Sequence, residues 1–158
     1  MRLQRVDFDH PDAVALRDAM VAEVGTIYGS QRDYGSSDGA EGIDAASVVL
    51  TLLGRVAERP VAHALLRRLG DDLEIKRMFV LPEARGLGAA DGPDGGAGGR
   101  GPTAGASRIV LHTGDRRLAA VRAYQRHGYT PIPIYEPYVG MPASLCFEKV
   151  LNPVGPQP

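Results

Sequence analysis

The chain has 158 residues, with 18 Lys and Arg against 19 Asp and Glu, so its net charge is −1. This balance excludes the broad positive field on which binding to nucleic acid or to an anionic membrane surface depends. No apolar run in the sequence is long enough to cross a bilayer as a helix. We therefore expect neither nucleic acid nor a membrane among the partners.

The chain length limits the number of domains, and the cysteine content indicates the cellular compartment. A chain of this size usually forms one domain with a single core, which we assign to residues 1–151. The Pro-rich residues 152–158 are expected to be a disordered tail. The single cysteine, Cys146, excludes an internal disulfide, and the first ten residues lack an apolar signal core. We therefore expect a cytoplasmic protein in which Cys146 is a small core residue.

The first third of the chain predicts a strand and a helix. Residues 3–8 alternate apolar and polar side chains, as a half-buried strand does. Asp9 or His10 is expected to cap a helix that has Pro11 near its first turn and apolar residues at helical spacing. Residues 25–44 are rich in Gly, Ser and Asp, which predicts a mobile segment or a short helix with loops.

The remaining chain predicts six strands and a helix. Residues 47–53, 61–69 and 73–81 are apolar runs separated by short turns, which is typical of an antiparallel meander. A fourth strand is predicted over residues 108–112. A helix is predicted next, capped by residues 113–115 and ended by Gly128. Two final strands are predicted over residues 129–134 and 143–151. This order favours one α/β domain with a mixed, mostly antiparallel sheet and helices on both faces.

A tight turn follows the third strand of the meander. The apolar run that ends at Val80 leads into Arg85-Gly86-Leu87-Gly88. Such a turn presents backbone N–H groups and one guanidinium, which together suit a pyrophosphate. A helix is expected after the turn, because a helix N-terminus completes an anion site.

These residues resemble the GNAT superfamily of acetyl-CoA-dependent N-acetyltransferases. Residues 85–90, R-G-L-G-A-A, satisfy the family's cofactor motif Gln/Arg-x-x-Gly-x-Gly/Ala. The motif lies after the strand E-I-K-R-M-F-V and before the strand I-V-L-H-T-G, the helix A-A-V-R-A-Y-Q-R-H-G-Y and the closing strand S-L-C-F-E-K-V-L. The resemblance covers about residues 47–151, and the context makes a short pattern specific.

The resemblance implies a sheet that is splayed in the middle, with the pantetheine arm of acetyl-CoA in the gap. It also implies that Tyr124 is the general acid that protonates the departing thiolate, a task that a phenol can perform. No metal is implied. The residues expected to hold the cofactor are those of the strand before the turn and of the turn itself: Met78, Phe79, Val80, Arg85, Gly86, Leu87, Gly88, Ala89 and Ala90.

The base that deprotonates the incoming amine is open at this stage. Glu74, on the predicted central strand, is the best candidate, and His112, at the end of a strand, is another. A water chain could serve instead.

The predicted function is transfer of an acetyl group from acetyl-CoA to a primary amine of a small molecule or protein by direct attack. The alternative is a catalytically inactive acyl-CoA-binding or regulatory module. The oligomeric state stays open, with a homodimer as one alternative.

Residues 89–105 do not fit the family pattern. Seven of these 17 residues are Gly and two are Pro, where an amphipathic helix is expected. Relative to Ala, these residues disfavour a helix by about 10 kcal/mol, which is comparable with the stability of a whole domain. Because the length matches that of the expected helix, we hypothesise two compensating frameshifts. Reading one base later permits R-R-M-A-R-T-A-E-L-E-A-A-A-R-R-L-G, a good helix sequence. The alternative is a genuine Gly-rich loop.

The intact mass of the protein expressed from its natural gene distinguishes these two alternatives. We expect a mass well above that of the written sequence, because 17 residues rich in Arg, Leu and Glu outweigh 17 rich in Gly. A mass equal to that of the written sequence would refute the frameshift hypothesis, and resequencing of the gene across residues 85–108 is the control.

Overall fold

One seven-stranded mixed sheet organises the molecule. The computed structural model describes residues 1–29, 43–86 and 105–151. The strand order is β1-β2-β3-β4-β5-β7-β6, and β4–β5 is the parallel pair among otherwise antiparallel neighbours. The strands are β1 (Arg2–Val6), β2 (Val48–Val56), β3 (Arg59–Leu69), β4 (Asp72–Val80), β5 (Arg108–Gly114), β6 (Thr130–Ile132) and β7 (Ser144–Val150).

Two helices cover opposite faces of this sheet. Helix α1 (Pro11–Tyr28) packs on β2, β3 and β4, and helix α2 (Leu118–Arg126) lies on the other face. The single mixed sheet with helices on both faces confirms the predicted fold class. In the described part of the chain, neither helix is long and apolar enough to span a membrane.

The periodicity of the apolar residues explains the two core clusters. The cluster under α2 contains Leu50, Leu66, Leu73, Ile75, Ile109, Leu111, Tyr124, Tyr129 and Phe147. The cluster under α1 contains Ala13, Leu16, Met20, Leu53 and Phe79. Leu50 and Leu53 of β2 are three residues apart and serve opposite clusters, because successive side chains of a strand point to opposite faces.

Turn and cap chemistry agrees with the sequence at several points. The side chain of His10 caps α1 by accepting a hydrogen bond from the Asp12 N–H at 3.2 Å, as one of the two predicted alternatives requires. Ala57 and Glu58 have φ of 47° and 64°, the positive values of a two-residue hairpin between β2 and β3. Gly128 ends α2 with φ of 87°.

Two predicted boundaries were wrong. Helix α1 continues through residues 25–28, because Tyr28 is buried and its hydroxyl accepts a hydrogen bond from the Arg116 N–H at 2.9 Å. Residues 113–115 do not cap α2. Thr113 and Gly114 still belong to β5, where they pair with Leu145 and Ser144 of β7, and α2 begins after Arg117 without a side-chain cap.

Several predictions fall outside the described residues. They are the cofactor roles of Leu87, Gly88, Ala89 and Ala90, most of the Gly-rich stretch 89–105, and the tail 152–158. Within the described residues, β4 and β5 pair over only three positions, Leu73↔Ile109, Glu74↔Val110 and Ile75↔Leu111. Beyond Ile75 and Leu111 the two strands no longer pair, which opens a V-shaped gap in the middle of the sheet.

Candidate functional site

A β-bulge in β4 lies at the point where the gap opens. Lys76 is opposite Leu65 and Phe79 is opposite His63, so two residues of β4 stand against one residue of β3. Arg77, one of these two residues, has φ of 55°, in the left-handed region that non-glycine residues rarely adopt. A bulge bends its strand and increases the local twist, so it directs the end of β4 away from β5.

A buried hydrogen-bond network holds the bulge in place. Nδ1 of His63 lies 2.9 Å from the carbonyl oxygen of Arg77, to which it donates. Nη1 of Arg17, on α1, donates to Nε2 of His63 at 3.2 Å, and its Nη2 donates to the Phe8 carbonyl at 2.7 Å. This arrangement requires a neutral imidazole, and burial lowers the pKa of His63 to about 4. Sequence analysis missed His63 and Arg17, because neither belongs to a local motif.

A cavity of about 450 Å³ adjoins the gap. It lies against β2, β3, the end of β4, the turn that follows and helix α2, with Leu3 of β1 and Ile27 of α1 also on its lining. Its basic lining includes Arg116, Arg117 and Arg126. The cavity brings together every described residue predicted to hold the cofactor, and the predicted acid as well: Met78, Phe79, Val80, Arg85, Gly86 and Tyr124.

Arg85 is engaged within the chain. Its Nη2 donates to both carboxylate oxygens of Glu23, on α1, at 2.6 and 2.7 Å, and its Nε donates to the Val80 carbonyl at 3.0 Å. The Arg85 side chain is 46% exposed, so it is also accessible to solvent. Glu23 thus places a carboxylate against the cation that is expected to meet the pyrophosphate. Sequence reasoning could not find this pair, because 62 residues separate its members.

Tyr124 belongs both to the core under α2 and to the cavity lining. Its ring contacts Tyr129 edge-on at 6.1 Å between centroids and Phe147 at 6.3 Å. It lies in one cluster with Ile75 and Leu111, the last paired residues before the gap. The residue therefore approaches the apex of the gap from the α2 face.

Glu74 lies on the other face of the sheet and is fully buried. Its Oε1 accepts a hydrogen bond from Nε of Arg67 at 2.8 Å. Its Oε2 accepts from the hydroxyls of Tyr135 at 2.7 Å and Tyr138 at 3.2 Å. Burial, and secondarily the Glu74 carboxylate, raises the pKa of Tyr135, so this phenol stays a donor. The structure does not bring Glu74 and Tyr124 together, and the role of Glu74 as the base stays a prediction.

The loop between β6 and β7 supplies residues that the sequence analysis did not single out. Tyr138 accepts a hydrogen bond from Nζ of Lys76, and its ring stacks on His112 with 3.8 Å between centroids. His112 Nε2 and Ser144 Oγ are 2.8 Å apart. The available signal was the pair of tyrosines in the loop Y-E-P-Y-V-G-M-P.

Several solved structures have a similar fold over nearly the whole chain. An assigned acyl-CoA N-acyltransferase from Klebsiella pneumoniae is similar over 95% of this chain and 97% of its own, with a TM-score of 0.75 and 22% identity. A GNAT-family acetyltransferase from Staphylococcus aureus is similar over 94% of this chain and 99% of its own, with a TM-score of 0.64 and 14% identity. A Bacillus subtilis acetyltransferase in complex with CoA is similar over 95% of this chain and 98% of its own, with a TM-score of 0.62 and 12% identity.

The chain has the GNAT fold. No protein-family model matches it, and no curated protein sequence matches it significantly. The GNAT resemblance found in the sequence is therefore confirmed at the level of the fold, over nearly the whole chain.

His63 makes the stability of this GNAT fold depend on pH. The unfolded imidazole binds a proton near pH 6.5, whereas the folded one does so only near pH 4. The free energy of unfolding should therefore fall as the pH drops from about 6.5 to 4, by up to about 3 kcal/mol. Chemical denaturation of the wild type and of His63→Gln across this range isolates the contribution. Parallel curves for the two proteins would contradict a neutral, buried His63.

Proposed function

We propose that the protein is an N-acetyltransferase that moves the acetyl group of acetyl-CoA to a primary amine of a small molecule or a protein. The observation that carries this proposal is the cavity at the gap, where the described residues predicted for the cofactor meet Tyr124. The similar structures support it, since they are named as acyltransferases or acetyltransferases and one of them holds CoA.

The described residues suit the chemistry of acetyl-CoA. Beyond Ile75, β4 does not pair with β5, so backbone groups near Met78 and Val80 face the gap. An extended chain with amide groups, such as pantetheine, can pair with such an edge as an additional strand. Arg85 and the arginines on the cavity lining supply positive charge for the phosphates at the open end.

The position of Tyr124 suits the role of an acid. The thioester would lie at the apex of the gap, which Tyr124 approaches from the α2 face. A phenol with a pKa near 10 can give its proton to the departing thiolate and recover one from solvent. For the base, Glu74 and His112 both remain candidates, because both lie near the apex on the α1 face.

An inactive acyl-CoA-binding module is the second candidate function. The written residues 89–105 favour it, because without a helix after the turn the pyrophosphate would lack a helix N-terminus. The two functions differ in one measurable product: an enzyme releases free thiol from acetyl-CoA, whereas a binding module does not.

Binding of acetyl-CoA tests the cofactor site. We expect Arg85→Ala to weaken binding by about 1.5–3 kcal/mol, the contribution of a hydrogen bond to a charged group. Glu23→Gln should strengthen binding, because it removes the carboxylate that competes for Arg85. Isothermal titration calorimetry measures both changes.

The matched control for Glu23→Gln is Asp12→Asn, which makes the same charge change on the same helix at a residue paired with Arg55. Equal affinities of the wild type and Arg85→Ala would contradict the cofactor site. Equal gains in affinity for Glu23→Gln and Asp12→Asn would contradict the competition.

The turnover number kcat tests the proposed role of Tyr124 as the general acid. We expect Tyr124→Phe to lower kcat by about 10²–10⁴-fold with acetyl-CoA affinity nearly unchanged, because a proton donor acts mainly in the transition state. Tyr129→Phe is the matched control, since it removes a hydroxyl from the same cluster. An unchanged kcat in Tyr124→Phe, with chemistry shown to be rate-limiting, would assign Tyr124 to the core alone.

A further inference from the structure

Three side chains meet at the apex of the gap on the α1 face. After the last pair, Ile75↔Leu111, the next residues are Lys76 on β4 and His112 on β5. Strand alternation directs both toward the same face as Glu74. Tyr138 lies between them, hydrogen-bonded to Lys76 and stacked on His112, and only 1% of it is exposed. This tyrosine therefore fixes the orientation of the imidazole at the point where the strands part.

Ser144 completes this arrangement. It is the first residue of β7 and lies two positions from Cys146, the partner of His112, so it shares a face with His112 and its hydroxyl lies 2.8 Å from Nε2. His112 is half-buried and Ser144 is 9% exposed, so the pair lies at the margin of the interior. Among the described residues, the titratable groups on this face are Lys76 and Glu74 from β4, Tyr135 and Tyr138 from the β6–β7 loop, and Cys146 from β7.

We propose that Ser144 and His112 form the route by which the acceptor amine loses its proton, an inference that rests on the proposed function. Ser144 Oγ accepts a proton from the ammonium group of the acceptor as its own proton passes to Nε2 of His112. One N–H bond and one O–H bond break, one O–H bond and one N–H bond form, and an imidazolium results. The neutral amine attacks the thioester carbon, the C–N bond forms, the C–S bond breaks, and Tyr124 protonates the thiolate. The nitrogen gives its second proton to solvent as the amide forms, Tyr124 recovers a proton from solvent, and His112 releases its proton to solvent.

The geometry points to His112 rather than Glu74 as the final proton acceptor. Both oxygens of Glu74 already accept hydrogen bonds, from Arg67 on one side and from two tyrosines on the other. A proton on Glu74 would leave Arg67 beside a neutral partner in the interior, which is costly. His112, in contrast, stacks on the electron-rich face of Tyr138, which stabilises an imidazolium.

The two faces of the sheet also separate the two proton transfers. Tyr124 reaches the apex from the α2 face, whereas Ser144 and His112 lie on the α1 face with the loop residues. An amine that attacks from the α1 face would therefore lose its proton on one side of the thioester, and the thiolate would gain its proton on the other. This division suits direct attack, because the nucleophile and the leaving group are separate substituents of one tetrahedral carbon and can meet different side chains.

The experiment compares acceptors that need a base with one that does not. Thiol release from acetyl-CoA is measured with a panel of basic primary amines and amino acids, and with hydroxylamine, which is largely unprotonated at neutral pH. We expect His112→Gln to lower kcat/KM by about 10²–10⁴-fold for the best basic amine and far less for hydroxylamine. Ser144→Ala should show the same selectivity, and the rise of kcat/KM with pH through the imidazole range should disappear in His112→Gln. Thr51→Val, which changes a buried hydroxyl on β2, is the control.

Three results would overturn the proposed proton route. Equal losses for basic amines and hydroxylamine in His112→Gln would assign His112 a structural role and overturn the inference. A selective loss for basic amines in Glu74→Gln, with none in His112→Gln, would make Glu74 the base and also overturn it. Absence of thiol release by the wild type with every acceptor, hydroxylamine included, would overturn the proposed function and the inference together.

Discussion

The bulge at Arg77 is the constraint on which the candidate site depends. A non-glycine residue in the left-handed region costs about 1–2 kcal/mol, so the surrounding structure must stabilise it. The hydrogen bond from His63 to the Arg77 carbonyl does so, and Arg17, which donates to Nε2, holds His63 in the neutral Nδ1–H tautomer. The bulge in turn ends the pairing of β4 with β5. One buried histidine thus connects helix α1 to the opening of the gap.

The sheet brings residues that are far apart in the sequence to the apex of the gap, and no sequence motif connects them. Tyr124 comes from a helix on one face, whereas His112 and Ser144 come from adjacent strands on the other. Glu74 contributes differently, because it holds Tyr135 and Tyr138 and thereby fixes the loop that stacks on His112. A buried carboxylate whose partners are all donors is well suited to order a loop. The same saturation makes it a poor proton acceptor.

The fold was predictable because its signals are local. Apolar runs separated by short turns predicted most of the strands, and a six-residue turn in its context predicted the family. What the sequence did not show depends on pairs far apart in the chain or on backbone geometry without a characteristic residue. Arg77 carries no sign of a positive φ, whereas a glycine there would have indicated one. The partnership of Glu23 with Arg85, and that of Tyr138 with Lys76, become visible only when the strands are assembled.

We expect the sequence of residues 89–105 to matter for the cofactor site. Both core clusters are built from residues of the described strands and helices, and α1 and α2 cover them from opposite faces. A stretch that does not form a helix would leave the anion site without a helix N-terminus. Arg85 and the basic residues Arg116 and Arg117 would still supply charge there. The described groups at the apex come from β4, β5, β7, α2 and the β6–β7 loop, so we expect the sequence of this stretch to change the affinity for acetyl-CoA rather than the proton transfers that follow binding.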